Sequence, residues 1–81
     1  MKVAEFIDKV WWSTKIAIIE PSKKGDENGI EIRKRALFYG IADEYEKEWE
    51  KNLNNKKIEG FGALNNRIIV IVEEENKWMK N

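Results

Sequence analysis

Two carboxylate arrangements, one cationic cluster and four tryptophans are the groups in this 81-residue sequence with the types and spacing to do chemistry. Asp26 precedes Glu31-Ile32-Arg33-Lys34, close to the pattern in which an acidic residue and Glu-x-Lys on adjacent strands hold a divalent ion for phosphodiester hydrolysis. The position that would polarise the attacking water is Arg33, not lysine, and Glu31 reads more simply as the wet face of a strand. Asp26-Glu27-Asn28-Gly29 is similar to a calcium loop, but counting from Asp26 the sixth position is Glu31 where an EF-hand needs glycine. Ser13 and Ser22 have no histidine or cysteine to work with, because the sequence contains neither. Gly60-Phe61-Gly62 is followed by no helix start, so it does not cradle a phosphate and reads instead as a bulge or a close approach of Trp49. We therefore expect no enzyme, no metal site and no cofactor.

Binding chemistry is better supplied. Lys23, Lys24, Arg33, Lys34 and Arg35 can gather on one hairpin with Tyr39, pairing cations for phosphates with a ring for base stacking. The plainer reading is a solvated strand face whose lysines discourage aggregation. With 15 basic against 15 acidic residues there is no overall pull toward a polyanion. The tryptophans point elsewhere. Four indoles exceed what one small core holds with ease, and the adjacent Trp11 and Trp12 point to opposite sides if the backbone is extended, so one enters the core and the other needs cover. Trp78-Met79 gives an otherwise polar tail an apolar tip. Exposed aromatic and methionine side chains are frequent interface anchors.

Hydrophobic periodicity supplies the elements. Val3, Phe6, Ile7 and Val10 make one stripe of a short helix. Thr14 to Glu20 is rich in β-branched residues and reads as a strand. The turn formers from Pro21 to Gly29 separate it from a second strand over Ile30 to Tyr39, ended by Gly40, and the two form an antiparallel hairpin. Ile41, Tyr45, Trp49 and Leu53 repeat every four residues, which predicts a helix from Asp43 to about Leu53. A closing hairpin runs from Lys56 to Val72 with its turn at Asn65-Asn66, and its wholly apolar last strand, Ile68 to Val72, belongs at the centre of the sheet. The order α-β-β-α-β-β implies an α+β fold, a four-stranded, mainly antiparallel sheet with helices on one face, in a single domain 1–81 with a polar tail from about residue 73.

The strand ending Leu37-Phe38-Tyr39-Gly40, the acidic helix, Asn54-Asn55-Lys56-Lys57-Ile58-Glu59-Gly60-Phe61 and the apolar strand Asn66-Arg67-Ile68-Ile69-Val70-Ile71-Val72 resemble small uncharacterised proteins carried by phages and conjugative elements of Gram-positive bacteria. That resemblance implies a mobile-element origin and carries over no catalytic residue. The absence of cysteine and of a purely apolar N-terminal stretch leads us to expect a cytoplasmic protein with no membrane role. The expected function is a non-enzymatic protein-interaction module that binds a protein partner or itself as a homodimer, through a sheet edge or through Trp11, Trp12, Trp78 and Met79. The alternative is a small single-stranded nucleic-acid-binding protein using Lys23, Lys24, Arg33, Arg35 and Tyr39.

Overall fold

Two of the four strands are almost continuous runs of isoleucine and valine, and such residues form strands stable only if covered on both sides. A computed structural model describes residues 1–21, 33, 34 and 36–73 and shows both runs in the middle of one sheet. Helix α1 spans Val3–Lys9, strand β1 Lys15–Ile19 and strand β2 Phe38–Ile41. A 3-10 turn over Ala42–Glu44 and a short helix α2 over Lys51–Asn54 lead to β3, Ile58–Leu64, and β4, Arg67–Val72. The spatial order is β2-β1-β4-β3.

The sheet is mixed. β1 is antiparallel to β2, with Ile16 opposite Gly40, and β3 is antiparallel to β4. The central pair β1–β4 is parallel, with Ile18 opposite Val70. One face packs against the helices: Ile16, Ile18, Val70 and Val72 meet Val3 and Phe6 of α1, Ala42 and Tyr45 from the 3-10 turn and its exit, and Leu53 of α2. The other face buries Ala17, Ile19 and Ile69, with Ala36, Leu64 and Ile71 packed around them. Ile16, Ile18 and Val70 are wholly inaccessible, and each such side chain contributes about 1.5–3 kcal/mol by leaving water.

α1 starts where its sequence allows. The Glu5 carboxylate accepts from the Lys2 backbone N–H at 2.8 Å, half of a capping box, and that bond holds the Glu5 carboxyl below its usual range, with help from the N-terminal ammonium. The β3–β4 turn is the predicted one. Asn65 and Asn66 have φ of 54° and 62°, the left-handed pair of a two-residue hairpin whose backbone twist matches its strands.

Three expectations are corrected. Of the strand proposed for Ile30 to Tyr39, the described part is strand only from Phe38; Arg33 and Lys34 have helical backbone, as suits straight-chain residues, and Ile30, Glu31, Ile32 and Arg35 lie outside the described residues. Gly40 does not end that strand but lies inside it, where its bare Cα leaves room for the Glu44 side chain to turn back and accept from Ile41 N–H at 3.0 Å. The helix proposed from Asp43 to Leu53 is a 3-10 turn, a stretch of turns and then a single helical turn from Lys51. Tyr45 leaves helical geometry at φ −82°, ψ 115°, and its ring packs edge-on to Phe38 at 5.2 Å. Tertiary burial of that one ring outweighs the helical period around it.

Candidate interaction surface

α1 ends when Val10 turns extended at φ −95°, ψ 159°, and the chain passes into the turn Trp11-Trp12-Ser13. Three backbone hydrogen bonds hold that turn. Thr14 N–H donates to Trp11 O at 3.0 Å, Asp43 N–H to Trp12 O at 2.9 Å, and Ala42 N–H to Thr14 O at 2.9 Å. The turn is thus pinned to the start of the 3-10 segment while both indoles stay outside, Trp11 at 70% and Trp12 at 59% exposure. This corrects the expectation that one of the pair enters the core. The alternation argument needs an extended backbone, whereas here the chain is turned, and the core beneath is already filled by Phe6, Tyr45 and the central strands.

Among the described residues Trp49 is the most exposed aromatic, at 80%. It sits in the turn between the 3-10 segment and α2, where its N–H donates to Glu46 O at 2.9 Å. Tyr45 braces this turn from below: its hydroxyl donates to Asn54 Oδ1 at 2.8 Å, and Asn54 Nδ2 donates to Lys47 O at 2.9 Å. Burial pushes the Tyr45 phenol up to about 12, and the charge of Glu50 adds to the shift. An ion pair between Lys47 Nζ and Asp8 draws the same turn against the end of α1 that leads into Trp11. The two tryptophan-bearing turns are therefore held next to the same helix end. Sequence periodicity places Trp49 in an apolar helix stripe, but of that stripe Tyr45 and Leu53 are buried while Trp49 stays outside.

A second cluster lies on the sheet face away from α1. Arg67, the first residue of β4, reaches across β1 to β2: its Nη1 donates to Ile16 O and to Gly40 O, both at 2.9 Å. Its guanidinium stacks on Tyr39 at 3.9 Å from the ring centroid, and Arg33 approaches the same ring at 5.5 Å. Of the expected cationic hairpin, the structure thus brings Arg33 to Tyr39 and adds Arg67, whose place in the closing strand carries no sequence signal of such a role. Lys23, Lys24, Arg35, Trp78 and Met79 lie outside the described residues, as do Asp26 and Glu31 of the carboxylate patterns.

Gly60 and Gly62 lie within β3. The register shifts between Ile58 and Gly60, so the expected bulge is present, but a Cβ on Gly60 would meet nothing within 4 Å and Trp49 does not approach it. Among the described residues no three acidic, histidine or cysteine side chains converge on a point that would suit a metal ion. Among the same residues no helix is long and apolar enough to cross a membrane. Comparison with known protein families, with curated proteins and with solved structures finds no match to this chain.

Proposed function

We propose that this chain is a non-enzymatic protein-interaction module that works in the cytoplasm and anchors its partner through Trp11, Trp12 and Trp49. The observation that carries this reading is the exposure of three indoles on turns whose backbones are fixed by hydrogen bonds. An indole leaves water favourably, and one presented on a pre-set turn loses little conformational freedom when it is covered. The resemblance to mobile-element proteins adds the class of partner: a protein of the host or of the element. The test is affinity capture with the wild type and with a Trp11→Ala, Trp12→Ala, Trp49→Ala variant whose melting temperature is unchanged. A partner held by the wild type at high salt and lost by the variant supports the reading; equal capture by both sinks it.

A second reading has its own observation, the stacking of Arg67 and Arg33 on the exposed ring of Tyr39. Cations beside a ring suit single-stranded nucleic acid. Fluorescence anisotropy of a labelled single strand separates the two readings. Saturable binding that weakens steeply with salt and vanishes in Tyr39→Ala favours nucleic acid. No binding at low salt removes that reading.

A further inference from the structure

β3 is the outer strand on its side of the sheet, and among the described residues only its beginning is covered. Ile58 N–H donates to Met1 O at 2.9 Å, and Val3 N–H donates to Lys56 O at 3.1 Å, so the first residues of the chain pair with the start of β3. Past the bulge no described residue covers the edge. In a two-residue hairpin the closing pair, here Leu64 and Arg67, exchanges backbone bonds. Alternation then turns the N–H and C=O of Leu64, Gly62 and Gly60 toward β4, and those of Phe61 and Ala63 away from it. Among the described residues no backbone group meets them there, and Phe61, Gly62 and Ala63 are all exposed, Phe61 at 54%. The usual deterrents to edge pairing are sparse: the strand Ile58–Leu64 has no proline and no lysine, and Glu59 is its only charge.

We propose that this edge pairs with the same edge of a second copy of the chain, antiparallel about a two-fold axis at Gly62, joining the two sheets into one. An antiparallel edge is its own complement, since each outward residue presents one donor and one acceptor. The side chains select the register. About Gly62, Phe61 stands opposite the partner's Ala63 on the helix-covered face, beside Phe6, whose ring lies 5.3 Å from Phe61. On the other face Leu64 stands opposite the partner's Gly60. Each large residue thus meets a small one, Gly62 meets its copy with no Cβ between them, and Glu59 faces the partner's Asn65 rather than another carboxylate. Centring the axis on Phe61 instead would oppose Gly60 to the partner's Gly62, with no side chain to fill that space. About four backbone hydrogen bonds form, a small interface of the kind that associates weakly and reversibly.

The experiment is sedimentation velocity over a wide concentration range. The mass should rise from 9.6 kDa toward about 19 kDa as concentration increases. Ala63→Pro deletes an outward N–H and leaves the β3–β4 ladder intact, so it should stay monomeric at every concentration with unchanged circular dichroism. If that proline lowers the melting temperature, Ala63→Lys takes its place, setting a charged side chain at the seam. Trp11→Ser with Trp12→Ser should dimerise like the wild type, which keeps this proposal separate from the tryptophan reading. A wild type that is monomeric throughout, a dimer that survives both changes at Ala63, or a dimer lost only with the tryptophans would each overturn it.

Discussion

Arg67→Met removes a tether that spans three strands. The Arg67 guanidinium donates to Ile16 O and Gly40 O and stacks on Tyr39, so one side chain of β4 holds β1 and β2. Ile16 and Gly40 face each other in the β1–β2 register, and the Ala42–Thr14 bond sets the alternation so that this pair exchanges backbone bonds as well. Their carbonyls therefore keep one partner each when Arg67 is lost, and no buried acceptor is orphaned. The lower end of the range for bonds to a charged donor applies, about 1.5 kcal/mol each. The contact with Tyr39, an exposed ring, adds about 0.5–1 kcal/mol. Methionine keeps much of the apolar stem, so packing loss is small, and the sum is about 3.5–4 kcal/mol. A domain of this size has roughly 4–12 kcal/mol in all. Urea unfolding followed by tryptophan fluorescence should show the midpoint falling with an unchanged slope, and the melting temperature should drop roughly 15–30 °C. Arg67→Lys should lose at least half as much, since an ammonium keeps the charge but not the planar fork that serves two carbonyls and a ring. A Met variant within about 0.5 kcal/mol of the wild type, or a Lys variant equal to it, would refute the tether.

Further outcomes are expected. Val70→Asp should abolish folding, because the site is fully inaccessible at the centre of the sheet and an unpaired buried carboxylate costs several kcal/mol; circular dichroism checks it. Asn66→Gly should raise stability by about 0.5 kcal/mol, glycine being preferred at the second left-handed position of this turn, and Asn66→Val should lower it by about 1–2 kcal/mol in the same denaturation assay. Tyr45 makes stability fall in alkali. Its folded value near 12 lies above the ordinary 10, so its contribution is complete below pH 10 and declines as pH rises toward 12, by about 1.4 kcal/mol per unit. Tyr45→Phe should flatten that slope in pH-dependent urea melts, and an unchanged slope would contradict the assignment.

How far the fold was legible depended on whether local pattern and tertiary burial agreed. They agree at Ile68 to Val72, where an unbroken β-branched run can only be a strand buried on both faces, and at Asn65-Asn66, where both residues tolerate left-handed backbone. They disagree around Tyr45, whose ring is drawn under the sheet by Phe38 and Asn54 and breaks a helix that spacing alone predicts. The parallel pairing of β1 with β4 left no local trace, because two hairpins in sequence look the same whichever way they are joined. At the surface, the doublet Trp11-Trp12 signalled exposed aromatics, but Trp49 hid within an apolar period. The role of Arg67 depends on three strands meeting beneath it, and nothing in its neighbours announces that.

The strand order also has a temporal meaning. β1 leaves the ribosome about fifty residues before one of its two sheet neighbours, β4, a wait of roughly 3–10 s at ordinary ribosomal speeds. During that interval Ile16, Ala17, Ile18 and Ile19 have at most β2 on one side and an unfilled lane on the other. The nascent chain therefore carries its stickiest segment unprotected until nearly the whole fold has been made, and ribosome-associated chaperones are the factors its production should depend on most.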